Sequence, residues 1–282
     1  MRSRNSLRRS VGSIVRDRTT VHDNETKFHD LWAQSTPLDQ IAVREAFEAP
    51  TAVENRAILA LMGDLRGKRL LDVGAGLGES SVYFAMLGAD VTAVDISPGM
   101  VDCAVALGKV HDVEIHGVVQ SGEGLDVPEN YFDIVYIANT IHHVTDKERL
   151  FQQIHHALKP GGRFFSYDPL AYNPIINMYR RMATEVRTED EAPLTFRDAS
   201  VAGKYFRNVR HREFWILTLS LFLKYYLVDR VHPNSDRYWK RILRETPASL
   251  WWWMPMEWID RVLTRIPLIQ RLGWNMVMWG EK

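Results

Sequence analysis

The sequence predicts an α/β protein on a doubly wound, mostly parallel seven-stranded sheet with helices on both faces, and three observations predict it. Short β-rich runs alternate with helical stretches through the middle of the chain. One apolar run empties into a glycine-rich turn, and polar or acidic residues recur just where the later β-rich runs end. Strands alternating with helices are the pattern of βαβ units, whose ligands bind at the carboxyl edge of the sheet.

Taken in chain order, residues 1–24 read as a basic flexible tail: its first eighteen residues hold six arginines and one acid, Asp17. Leu7, Val11, Ile14 and Val15 fall at helical spacing, so an ordered tail would be amphipathic and suited to a membrane surface. Residues 25–65 follow as a helical lid or substrate region, with Trp32, Ile41, Val43, Phe47, Val53, Ile58 and Leu61 as expected buried positions and Pro37 and Pro50 as breaks. Residues 66–216 form the α/β core. Strands are expected at Arg69 to Val73, Asp90 to Asp95, Val113 to Val118, Phe132 to Ala138, Arg163 to Tyr167 and Asn208 to Ile216. Residues 217–272 read as a helical insertion rich in large aromatics, among them Trp251, Trp252, Trp253 and Trp258. Residues 273–282 supply the last strand.

Composition excludes several classes. Thirty-five basic residues balance thirty-five acidic ones, so there is no global field for nucleic acid. Cys103 is the only cysteine, which rules out an intramolecular disulfide and a thiolate metal cluster and is compatible with a reducing cytosol. The longest apolar stretch, Phe214 to Leu223, falls well short of the roughly 20 residues that span a bilayer.

The chemistry is carried by the run Leu70-Leu71-Asp72-Val73-Gly74-Ala75-Gly76-Leu77-Gly78-Glu79. Glycines there let the chain turn sharply and let a ligand approach the backbone. The spacing G-x-G-x-G departs from the dinucleotide fingerprint G-x-G-x-x-G, and Asp72 would repel a pyrophosphate but suit a cationic ligand. Seventeen residues past Gly78, a β-rich run ends in Asp95, placed to accept both hydroxyls of a ribose. Ile96 and Met100 would pack on the faces of an adenine ring. Ser121, Gly122 and Glu123 end the third run where the adenine edge would lie, and Asn139 opens the loop after the fourth.

With these motifs in place, the sequence resembles the small-molecule branch of the class I S-adenosylmethionine-dependent methyltransferases. The resemblance runs from about Leu65 to Asp168, with looser agreement at Asn208 to Ile216 and Trp274 to Lys282. It implies a Rossmann-like methyltransferase fold and S-adenosyl-L-methionine as cofactor, with S-adenosyl-L-homocysteine as product. It further implies that Asp72, Gly74, Ala75 and Gly76 meet the methionine portion, Asp95 the ribose, and Gly122 and Glu123 the adenine. Leu158-Lys159-Pro160-Gly161-Gly162-Arg163, a turn into the fifth strand, is also similar to that family, whereas Ser121 stands where the family often has aspartate.

Transfer from a sulfonium is an in-line displacement with an activated leaving group, so positioning supplies most of the catalysis and a base is needed only when the acceptor must lose a proton. His143 and His142 are the candidate bases, one of them expected to face substrate, with Tyr167 and then Asp168 next in line. No metal is expected, because His142-His143 and His155-His156 are adjacent pairs without acidic company. The expected partner is a small apolar, aromatic or lipid-linked acceptor, methylated on oxygen for preference, in a cytoplasmic protein that touches membrane through its tail or tryptophan-rich segment. Arg180, Arg181, Arg187 and Arg197 could recognise a carboxylate or phosphate. An NAD-dependent oxidoreductase and a non-catalytic, membrane-associated scaffold are the alternatives.

Overall fold

The computed structural model describes residues 18–185, 187–188, 191–245 and 250–282. One seven-stranded sheet with order β3-β2-β1-β4-β5-β7-β6 organises the chain. Its strands are β1 (Arg69–Val73), β2 (Asp90–Asp95), β3 (His116–Val119), β4 (Phe132–Ala138), β5 (Leu158–Pro169), β6 (Arg207–Phe214) and β7 (Asn275–Glu281). The first five pair in parallel, and β7 runs antiparallel between β5 and β6. The longer helices are α1 (Arg18–Ser35), α2 (Val53–Met62), α3 (Glu79–Met86), α4 (Pro98–Val110), α5 (Lys147–Ala157), α6 (Pro174–Met182), α7 (Phe196–Ala202) and α8 (Trp253–Leu263).

Burial explains the strands. β1 and β4 are apolar almost throughout because helices cover both sheet faces. One core layer gathers Leu70, Phe84, Ala93, Met100, Leu107 and Tyr136; the other gathers Leu71, Val94, Val135, Phe151, Ile154 and Phe164. The strand order reverses beside β1, where β2 lies on one side and β4 on the other. That switch point opens a crevice at the carboxyl ends of the strands.

Several boundaries differ from the sequence expectation. Residues 18–24 belong to helix α1 and are helical rather than tail. No proline or glycine interrupts Arg18–Ser35, and its side chains dock on loops of the sheet. Leu7, Val11, Ile14 and Val15 lie outside the described residues. Leu61 is exposed, on the outer face of α2, while Ile41, Val43, Phe47 and Ile58 are buried as expected. β3 begins three residues late, since Val113 and Ile115 pack into the core ahead of its ladder to β2. The insertion is mostly short turns, with α8 its one helix of eight residues or more among the described residues. Pro233, Pro255 and Pro267 remove backbone donors along it. Its aromatics divide: Tyr225, Tyr238 and Trp253 are buried, whereas Trp251 is 75% and Trp258 67% exposed. Among the described residues no helix is long and apolar enough to cross a membrane.

Candidate active site

A cavity of ≈ 340 Å³ occupies the crevice, its walls drawn from the loops after β1, β2, β3, β4 and β5 together with α1, α2, α6 and the insertion. That lies at the small end of the usual ligand-pocket range.

One end is built largely from backbone. After β1 the chain turns through Gly74, Gly76 and Gly78, all with positive φ. The Gly74 and Ala75 N–H groups donate to the Val94 carbonyl at 2.7 and 3.0 Å, tying the turn to β2. The glycines serve different purposes. A Cβ on Gly74 would sit 2.1 Å from Thr140 Oγ1, and one on Gly78 would sit 2.6 Å from Ala104 on α4. A Cβ on Gly76 would meet nothing within 4 Å, so only there does the missing side chain leave open space. The Gly76 N–H donates to Asp95 Oδ2 at 2.9 Å and the Ser97 N–H to Oδ1 at 2.9 Å, which fixes the Asp95 carboxylate in the cavity wall.

Gly74, Ala75, Gly76, Asp95, Ile96, Ser121, Gly122, Glu123 and Asn139 line the cavity together. Three residues named with them do not. Gly78 is spent on close packing against α4, and Met100 is fully buried in the core. Asp72 lies behind the wall, accepting hydrogen bonds from Ser80 Oγ at 2.6 Å and Ser81 Oγ at 2.7 Å. Burial pushes the Asp72 carboxyl up to about 6 against those two hydroxyls, with Asp95 and Glu79 adding to the rise. Its neighbours Glu79 and Ser80 reach the cavity instead.

The other end is built from side chains. Ile141–His143 is a short 3-10 turn, and both His142 and His143 line the cavity, against the expectation that one would turn away. Successive side chains on such a turn diverge by only about a third of a circle. Their rings stand 4.1 Å apart and take different partners. His142 Nδ1 lies 2.7 Å from Asp168 Oδ1, which also accepts the His142 backbone N–H at 3.1 Å. Burial drives His142 well below its ordinary range and Asp168 up to about 8, so the charged forms are disfavoured on both and the pair pins the β4 loop to β5. His143 Nδ1 lies 3.1 Å from Glu25 Oε1 on α1. Burial opposes charge on both members here too, but their mutual attraction wins, raising His143 and holding Glu25 well below the carboxylate range. Tyr167 lines the cavity with its phenol pushed up by burial, a hydrogen-bond donor rather than a base; Asn139 reaches its hydroxyl.

Carboxylates do accompany the histidines. Ligand atoms of Glu25, His29 and His143 lie within 4.8 Å of one another, as do those of His142, His143 and Glu191. Glu25 and Glu191 come from distant parts of the chain, which the adjacent histidine pairs do not reveal. The i, i+4 spacing of Glu25 and His29 was the one sequence signal for this cluster. Glu54 was also missed. It is buried in the wall, held by Asn275 Nδ2 at 2.6 Å, and pushed up to about 7 by burial. Helix α1 straps both ends: His22 Nε2 meets Glu123 Oε2 at 2.8 Å, Asp30 Oδ1 accepts Ser97 Oγ at 2.5 Å and the Gly99 N–H at 2.9 Å, and Glu25 holds His143.

Comparison with known proteins bears on the α/β core that frames the cavity. Residues 71–166 match a family model described as a methyltransferase domain. The chain is 34% identical over 128 residues to phosphoethanolamine N-methyltransferase 3 of Arabidopsis thaliana, covering 44% of this chain and 26% of that protein. It is 40% identical over 103 residues to a ubiquinone biosynthesis O-methyltransferase of Xanthomonas oryzae pv. oryzae, covering 36% of this chain and 43% of that protein. The chain thus spans less than half the length of these two curated relatives. Among solved structures, Haemonchus contortus phosphoethanolamine N-methyltransferase 2, in complex with phosphomonomethylethanolamine and S-adenosylhomocysteine, superposes with a TM-score of 0.55 at 18% identity. That match covers 92% of this chain and 58% of the other and carries the fold.

Proposed function

We propose, from the premise that the α/β core of this chain belongs to the class I S-adenosylmethionine-dependent methyltransferases, that the protein methylates a small acceptor on oxygen, using S-adenosylmethionine. The observation that carries the reading is the single cavity: the Asp95–Gly76 end and the His143–Glu25 end line the same space.

The residues suit this donor. Asp95 has one N–H on each carboxylate oxygen, and the lone pairs that remain can accept a vicinal pair of hydroxyls. Gly76 leaves the backbone open to close approach. The Asp72 carboxyl behind this end suits a cationic group better than a pyrophosphate, while Glu79 in the wall is ion-paired with Lys240. When bound, S-adenosylmethionine supplies a methyl group on a positively charged sulfur.

The protein's own contribution is orientation and one proton. With Nδ1 engaged by Glu25, proton exchange on His143 falls to Nε2. A hydroxyl acceptor must lose its proton as the new bond to carbon forms, and a deprotonated Nε2 can take it. His142, bound to Asp168 and held neutral, positions the loop; Tyr167 can donate a hydrogen bond to the acceptor oxygen. The apolar and aromatic wall formed by Phe47, Ile176, Trp239, Leu243 and Trp274 suits a ring or hydrocarbon body. Incubation with S-adenosylmethionine and matched phenolic and amine acceptors, with S-adenosylhomocysteine release as readout, tests this. Turnover is expected on a phenol; turnover on amines alone would overturn the oxygen preference.

A further inference from the structure

Among the described residues, the Arg180 guanidinium in the acceptor end of the cavity forms no ion pair. Arg180 lies on α6 and lines the cavity. Its Nη1 donates to the Leu170 carbonyl at 3.2 Å and to Asn177 Oδ1 at 2.9 Å, both neutral acceptors. Its Nη2 is buried and has no hydrogen-bond partner, and no carboxylate among the described residues forms an ion pair with it. The neighbouring Arg187 is different, since its guanidinium is bound by Glu191. Glu191 is thereby already engaged. Burial, with Arg187 adding to it and the nearby Glu191 carboxylate opposing, pushes the Arg180 guanidinium down to about 10, which leaves it protonated at neutral pH.

A guanidinium in such a place carries the cost of desolvation without a hydrogen-bonded counter-ion, and buried charges in proteins are ordinarily paired. Arg237 shows the structural alternative. Its Nε is also unpartnered, but its guanidinium sits over the Trp32 ring, 4.2 Å from the centroid, and the residue does not line the cavity. Among the described residues no aromatic ring makes a cation–π contact with Arg180, and it lines a cavity shared with Ile176, Tyr179, Trp274 and the histidine pair.

We propose that Arg180 is the anion-binding residue of the acceptor pocket, and that the acceptor carries a carboxylate or phosphate monoester on an apolar or aromatic body. A guanidinium recognises either group through two parallel hydrogen bonds, so Nη2 gains its missing acceptor and the buried charge its counter-ion. An acceptor anchored there by its anionic group keeps its other end free to reach the histidines. That the anion belongs to a methyl acceptor rests on the methyltransferase reading; the anion site rests on Arg180 itself.

Calorimetric titration of the full chain loaded with S-adenosylhomocysteine, using benzoate, phenyl phosphate and neutral benzyl alcohol as probes, tests the proposal. At least one anion is expected to bind about tenfold or more tightly than the alcohol, and Arg180→Met to erase that advantage. Arg180→Lys, which keeps the charge and loses the fork, is expected to fall between. Arg181→Met, altering an exposed neighbour, is expected to match wild type. Which anion binds more tightly separates carboxylate from phosphate. Retained S-adenosylhomocysteine binding shows that a variant is folded; if Arg180→Met loses it, Arg180→Lys is read instead. Equal anion binding by wild type and the Arg180 variants, or no advantage of either anion over the alcohol, would overturn the proposal. If wild type does not bind S-adenosylhomocysteine, the methyltransferase reading fails, and the same anion titrations on the unloaded chain still decide the role of Arg180.

Discussion

At the ends of β1 and β2 the cavity wall is made by neighbours in sequence: Gly76 meets Asp95 19 residues away, and Asp95 meets Ser97 two residues on. At the ends of β4 and β5 it is made by side chains drawn together by the fold. His143 meets Glu25 across 118 residues, and His142 meets Asp168 across 26. The first end depends on backbone geometry that few sequences can adopt. The second depends on ion pairs and buried polar contacts that individual substitutions can retune. A site divided in this way can hold one ligand class at its backbone end while the side-chain end changes its partner.

That contrast makes separable predictions. His143→Gln is expected to lower the methyl-transfer rate by about 10²–10⁴, the usual contribution of a general base. S-adenosylhomocysteine affinity should stay at the wild-type level, and a loss of affinity in step with rate would merge the two ends. Asp95→Ala is expected to weaken S-adenosylhomocysteine binding by about 1.5–3 kcal/mol, the scale of hydrogen bonds to a charged group. Calorimetry on the variant checks it, and unchanged affinity would remove Asp95 from the ligand.

Glu25→Gln acts through pH. Glu25 raises His143, and a base must be deprotonated to act, so the variant's rate should climb at lower pH than wild type. A pH profile unmoved by the substitution would break the assigned pair. The same pair makes a stability prediction. Glu25 is depressed, so its contribution is present above the ordinary carboxylate value of 4.5 and is lost as pH falls toward its folded value. His143 is raised, so its contribution is full below the ordinary 6.5 and is lost as pH rises through its folded value. The melting-temperature gap between wild type and variant should be widest between those two values.

The smallest effect on ligand binding is expected from Asp72→Asn, below about 1 kcal/mol, because Asp72 lies behind the wall. Its carboxyl is raised from 3.8 to about 6, so wild type loses stability as pH climbs through that range, and the variant's melting curve should be flatter there. A binding loss as large as that of Asp95→Ala would return Asp72 to direct contact.

The same division decides what could be read from sequence. β1, β2 and β4 match their expected bounds to the residue, because buried parallel strands are short apolar runs closed by turn residues. The glycine turn and Asp95 were legible for the same reason: each needs a residue type at one backbone position. The proposed contacts of Gly78 and Met100 were not, since a glycine that admits a ligand and one that admits a helix look alike in sequence. At the acceptor end, the partners of His142 and His143 are set by how α1 and the segment at Glu191 fold back over the sheet, which no local spacing encodes. The insertion misled through its apolar content, whose prolines and buried rings favour turns over a continuous helix.

Equilibrium titration of the purified chain with S-adenosylmethionine, S-adenosylhomocysteine and NAD tests the central claim most directly. Saturable one-to-one binding of both sulfur compounds, weakened by Asp95→Ala, with no binding of NAD, is the result expected. Binding of NAD with neither sulfur compound bound would contradict the account.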